Sequence, residues 1–325
     1  MKKLLLLIFL FILLAVIGGA WFFTGLMPVN NSTDTKRFLI SQGESANQIG
    51  QELQKENIVK NALAFRIYSQ ITQAARNIKP GSYELTSNQS VPQIIVKILA
   101  GPTEVWVTVP EGLRREEIAQ KYVDGFELTD KEADNFYNQF LSLTTNKEGY
   151  LFPDTYLFAK DTKPAAVVKI MEDTFDAKYA EAIKTKTTSL TKAEIVNLAS
   201  IIQREAITPE DMQGVSSALT NRYNIGMPLG SDVTLEYVLG YQKDEQTWWK
   251  KDLTADDLLV NSLYNTRLNA GFPPTPISNP GLTAIEAAMN PPQTDYLYYL
   301  SDKDGKLHFA QTLEGHNANI EKYLN

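Results

Sequence analysis

The 325-residue chain has no cysteine and only two histidines, His308 and His316. The first absence excludes disulfide staples, thiolate metal sites and cysteine nucleophiles. The second leaves no H-E-x-x-H pair, and the 308/316 spacing with Glu314 nearby is not diagnostic of a metal site. No metal and no cofactor are therefore expected, and the two histidines read as structural or substrate-contacting. Positive charge is also in deficit: 31 Lys and Arg stand against 38 Asp and Glu, a net charge of −7. Without a basic stripe to displace counterions, nucleic acid is not an expected partner. No G-x-S-x-G elbow, Walker A loop or dinucleotide fingerprint occurs. Ser189-Leu190-Thr191-Lys192 has the S-x-x-K form of penicillin-interacting enzymes, but it lacks the S-D-N and K-T-G partners and helix capping explains it better.

What is present is an ordinary globular composition, 43% hydrophobic and 21% charged, enough to close at least one sizeable core. Its one long apolar run, Leu4 to Met27, carries no charge and follows Lys2 and Lys3. A spanning helix needs roughly 20 residues, whereas a signal-peptide core has about 7–15. Gly18 and Ala20 make a poor cleavage site, so a retained anchor is preferred to a cleaved signal peptide; either way the rest of the chain is exported. The positive-inside rule places the lysines in the cytoplasm. The expected location is thus a membrane, crossed once, with the C-terminal part extracytoplasmic.

After this anchor (1–27) comes a short polar linker, PVNNSTDTK (28–36). A strand at Phe38–Ile40, two helical stretches, a return strand at 81–85 and a Ser90-capped helix to Leu99 make a compact α/β unit over 37–102. A strand near 105–109 and the helical pattern GLRREEIAQKY indicate a second, smaller α/β element over 103–147. From 148 to 325 prolines and aromatics crowd into short stretches between good helices, the texture of a concave binding surface. The fold class expected is α+β.

One helix in this last region bears on chemistry. Thr191 and Glu194 fit a capping box, and Ile195, Leu198, Ile201, Ile202 and Glu205 fall on one face. Thr208-Pro209 begins the next helix, so Glu205 lies in the last turn of the first. An apolar face and the negative end of the helix dipole both disfavour its ionised form, as a general acid requires. A helix-end glutamate whose head reaches solvent or Arg204 would satisfy the same pattern.

The blocks EGYLFPDTY (148–156), LASIIQREA (198–206), NRYNIGMPLGSDVT (221–234), LYNTRLNAGFPPTPISNPG (263–281), AAMNPPQTDYLYYL (287–300) and HFAQTLEGHN (308–317) resemble, in order, the YceG-like family of endolytic murein transglycosylases. The resemblance implies that 37–102 is a LysM-like subdomain, 103–147 a connector and 148–325 the catalytic domain. It puts the catalytic acid of the family's E-K/R-E-T segment on Glu205; Gln203 stands for the first acid and Ala206 for the threonine. Val233, Arg267 and Thr275 are further departures from the family pattern. The implied reaction cleaves the MurNAc-β-1,4-GlcNAc bond of nascent glycan strands and leaves 1,6-anhydro-MurNAc ends, terminating elongation without water or metal. Glu148, Ser231, Asp232, Tyr264, Asn265 and Asn279 are the expected substrate contacts, with Tyr150 and Phe152 as walls. The implied partners are peptidoglycan glycan strands, penicillin-binding synthases and, through the anchor, the bacterial inner membrane. A hydrolase of the same bond, using Asp232 or Glu148 to activate water, and a non-catalytic wall-binding scaffold are the alternatives.

Overall fold

The computed structural model describes residues 2–324, which form a mixed α/β structure of two compact units. Unit 1 runs to Val107 and takes in Leu157–Asp161; unit 2 comprises Thr108–Tyr156 and the chain from Thr162 onward.

Unit 1 begins with the apolar helix α1 (Lys2–Leu26), long and apolar enough to cross a membrane. Then follow β1 (Thr35–Ile40), α2 (Ala46–Lys55), α3 (Ala62–Ile71), β2 (Gly81–Thr86), α4 (Val91–Leu99) and β3 (Glu104–Thr108). Strands β1 and β2 pair antiparallel from Thr35 opposite Thr86 to Ile40 opposite Gly81. Period-two alternation sends Phe38 and Ile40 inward and leaves Leu39 exposed. Ser45 and Gln48 close a capping box on α2, and Gly50 lets α2 approach α3. These elements bury Leu53, Phe65, Tyr83, Leu85, Ile94 and Ile98 in one core.

Unit 2 contains α5 (Arg115–Gly125) and α6 (Asp130–Leu143). The next strand, β4 (Thr155–Ala159), returns the chain at Leu157 to unit 1, where it completes the sheet of order β1-β2-β3-β4. Then come α7 (Pro164–Ala182), α8 (Lys192–Glu205), α9 (Pro209–Asn224), α10 (Val233–Leu239), α11 (Leu282–Met289), the antiparallel pair β5 (Tyr298–Ser301) and β6 (Leu307–Ala310), and α12 (Leu313–Tyr323). Helix α8 is the axis of this unit. Every residue from Ile195 to Ile202 is buried, with α9 and α11 packed against it. Its polar members are used to sew on the proline loop. Asn197 Nδ2 donates to the Pro273 carbonyl at 2.6 Å, Ser200 Oγ accepts from Ile277 N at 3.0 Å, and Ser278 Oγ donates to the Ser200 carbonyl at 2.9 Å.

Candidate active site

Glu205 closes α8, and Ala206 beyond it is extended and buried. The helix starts as its sequence indicates: Thr191 accepts from the Glu194 amide while the Glu194 carboxylate accepts from Thr191 N at 2.8 Å. Lys192 is spent on Asp176 at 2.9 Å and on the ring of Tyr179, so the S-x-x-K spacing here serves a helix start. The residues flanking Glu205 point elsewhere. Gln203 accepts from the Gly281 amide at 2.9 Å, and the Arg204 guanidinium lies 3.8 Å from the centre of the Trp249 ring.

Glu205 lines a polar cavity of about 430 Å³ together with Arg222, Asp232, Arg267, Tyr299 and His316. Ser231 donates its hydroxyl to the Glu205 carboxylate, and Tyr299 also hydrogen-bonds it. Ser231 is buried and its loop is pinned: its amide donates to Thr266 Oγ1 at 3.1 Å, and Thr234 Oγ1 donates to its carbonyl at 2.7 Å. Asp232, half in solvent, is engaged by Arg267 at 2.6 Å. Arg222 reaches in from α9, donating Nε to the Leu297 carbonyl at 2.5 Å and lying over the ring of Tyr298.

Burial raises the pKa of Glu205, and the nearby Asp232 charge pushes the same way; the Ser231 and Tyr299 hydroxyls and the Arg222 cation partly offset them. The carboxyl therefore holds its proton to higher pH than an ordinary glutamate does. Tyr299 is raised well above its ordinary value, first by burial and then by the Glu205 charge, so it stays a neutral donor. Glu236 on α10 is raised to about 7, chiefly by burial, with Arg204 opposing and Glu205 and Asp232 adding to the rise.

Glu148 and Tyr264 lie in a different, larger groove of about 710 Å³, lined also by Tyr150, Tyr237, Phe272 and Pro273. Glu148 is buried and accepts from Arg115 N at 3.0 Å, Asn279 Nδ2 at 2.6 Å and Tyr237 Oη at 3.4 Å. Its pKa rises to about 8, through burial first and the Glu116 charge second, against the pull of Arg114 and Arg115. The Tyr264 hydroxyl is 2.6 Å from Thr275 Oγ1.

Asn279 is fully buried. It accepts from Gly149 N and Leu151 N, each at 2.9 Å, and donates to the Leu113 carbonyl at 3.0 Å as well as to Glu148. The crossing is tight: Gly149 has φ +88°, and a Cβ there would lie 2.6 Å from that of Pro276. Asn265 is equally buried and donates to the carbonyls of Leu258 and Val260 at 3.0 and 2.9 Å. Both asparagines hold loops together and are out of a ligand's reach. Phe152 likewise belongs to the core, while Tyr150 lines the groove.

Of the expected contacts, then, Ser231 and Asp232 gather at Glu205 and the others do not. Arg222 and Tyr299 also face Glu205, and sequence reasoning did not single them out. Both occur in the family-like blocks, but nothing in their local spacing marks them. Among the histidines, His308 pairs with Asp302 at 2.8 Å, and His316 stacks on Tyr298 at the cavity wall.

An apolar N-terminal helix, a mixed α/β body and a partly buried glutamate lining a polar cavity define the class. The YceG-like family model matches residues 38–322, and the chain belongs to the YceG-like family. It is 32% identical over 337 residues to a Bacillus subtilis protein named endolytic murein transglycosylase, covering 95% of this chain and 91% of that protein. A Streptococcus pneumoniae serotype 2 protein of the same name is 27% identical, and there the match covers 95% of this chain and 62% of the relative. The crystal structure of a YceG-like protein from Listeria monocytogenes superposes with a TM-score of 0.54 at 31% identity, covering 88% of this chain and 99% of that one.

Proposed function

We propose that the chain is a lytic transglycosylase acting on peptidoglycan, with Glu205 serving first as acid and then as base. The observation that carries this reading is Glu205 itself, a carboxyl with a raised pKa, hydrogen-bonded by Ser231 and Tyr299 at an open polar cavity. Its curated relatives are named for this activity. In the first half-reaction the Glu205 proton passes to the glycosidic oxygen as the C1–O bond of MurNAc breaks. The carboxylate so formed is stabilised by Ser231 and faces the cationic Arg222. In the second half it takes the proton of the MurNAc C6 hydroxyl, whose oxygen closes on C1 to form the anhydro ring. The proton is returned, and no water is consumed.

A hydrolase would need a second carboxylate free to activate water. Asp232 is engaged by Arg267, and Glu148 lies in the other groove, which supports the single-acid reading. We read the Tyr264–Glu148 groove as an extension of the strand-binding surface. Residues 37–102 are read as a LysM-like glycan-binding subdomain, a reading supported by the order β1-α2-α3-β2 with the two strands paired. Helix α1 is read as a single-pass anchor in the cell membrane, with the remainder extracytoplasmic. We read its action as endolytic cutting of nascent strands, with penicillin-binding synthases as the partners that such a placement suits.

The test is mass spectrometry of the products that the full-length protein makes from uncrosslinked glycan strands, wild type beside Glu205→Gln. We expect anhydro-MurNAc ends from wild type and a loss of roughly 10²–10⁴-fold in the variant, the usual worth of a general acid. Reducing ends, or a fully active variant, would overturn the assignment.

A further inference from the structure

Helix α1 does not run out into free chain. From Leu4 to Ile17 its side chains are exposed around the whole circumference, as a helix made for lipid leaves them. At Leu26 the pattern changes. This leucine is only 8% exposed and joins the core of unit 1, with Phe22 packed at the edge of that core. Gly25 meets α3 so closely that a Cβ on it would lie 2.8 Å from the Cβ of Ala64 and 3.3 Å from that of Asn61. Beyond the helix, the amides of Val29 and Asn30 donate to the Ser87 carbonyl at 3.0 and 3.3 Å. The Ser87 hydroxyl in turn donates to the Asn57 carbonyl at 2.7 Å. The polar segment expected to be a linker is therefore strapped down at its start.

The same helix sets the membrane level. Its 25 residues rise roughly 37 Å at 1.5 Å each, against a hydrocarbon core of about 30 Å. Counted from Lys3, the span is used up near Trp21-Phe22-Phe23, an aromatic group of the kind found at membrane–water interfaces. Docking on unit 1 begins within that same turn, so no residues remain for a stalk. Asn61 and Ala64, which meet Gly25, are flanked by exposed Lys60 and by Leu63, whose surface is 42% exposed. A lysine beside an exposed leucine suits phosphate headgroups over glycerol and upper acyl carbons.

We infer that unit 1 is seated directly on the outer surface of the membrane, with Phe23, Met27, Lys60 and Leu63 in the lipid headgroup layer. This inference rests on the reading of α1 as a membrane anchor.

Because the chain has no cysteine, one engineered cysteine gives one labelled position. Phe23→Cys and Leu63→Cys change exposed side chains and leave the core intact. Each full-length variant carries a fluorophore in nanodiscs containing lipids spin-labelled at the headgroup, with unlabelled nanodiscs as the reference. The expected result is quenching at Leu63 comparable with that at Phe23. Quenching at Phe23 with none at Leu63 would leave the anchor standing and overturn the seat. No quenching at either position would sink the anchor reading and the seat together.

Discussion

At Glu205, burial and Asp232 raise the carboxyl's pKa while Ser231, Tyr299 and Arg222 pull it down. Removing the Ser231 donor therefore leaves the carboxylate less stabilised, and the pKa moves further up. Since the acid must be protonated to start the reaction, activity falls as pH rises through this pKa. We expect Ser231→Ala to move that alkaline limb to higher pH and to slow the second, base-dependent half; Ser231→Thr keeps the hydroxyl and should restore the wild-type limb. A kcat/KM profile against pH checks both. Glu148 offers a second titration, visible in stability. Its folded pKa of about 8 lies above the ordinary 4.5, so between those values the folded state binds more protons than the unfolded one. Stability is then fully present below pH 4.5 and is lost as pH rises toward 8. Glu148→Gln, neutral throughout, should flatten that decline in a Tm-versus-pH series.

Helix α8 shows how much an element declares in advance. The Thr191–Glu194 box, the apolar face and the end at Glu205 are legible in sequence because all three are local. Thr191→Ala should cost about 1 kcal/mol, read as a fall in the denaturant midpoint of unit 2. What the sequence conceals is the company Glu205 keeps. Ser231, Arg222 and Tyr299 arrive from a loop, from α9 and from β5, and no short-range pattern encodes their convergence. Asn265 and Asn279 illustrate the opposite failure. In a loop rich in Tyr, Pro and Gly an asparagine looks like a ligand contact, yet here buried carbonyls and amides consume its side chain. The 28–36 segment reads as linker because it is polar, and only the fold shows Ser87 capturing its backbone.

For the whole molecule, the two units have separate cores, one around Leu53 and Tyr83 and one around α8. Two-state unfolding is not expected of such a chain. Scanning calorimetry in detergent should show two transitions. Leu53→Ala, at a fully buried site, should lower one of them by about 2–5 kcal/mol and leave the other in place. The anchor makes its own demand at this scale. On the proposed reading of α1 as an anchor held in lipid by apolar area, high salt should not release the protein from membranes, whereas removal of residues 2–26 should free the remaining chain into solution.

Asn279 ties together Leu113, Glu148, Gly149 and Leu151, and it lies 130 residues beyond Gly149. During synthesis, which runs from the amino terminus, Glu148 meets water long before the amide that will cover it has left the ribosome. The front of unit 2 must wait as an open platform, its carboxyl solvated, and it closes only when the proline loop arrives. Such late, long-range closure is slow and leaves apolar surface uncovered meanwhile. Synthesis, more than the finished structure, is thus the stage at which unit 2 is most exposed to proteases, and a chain truncated before residue 279 should be degraded where the full-length chain survives.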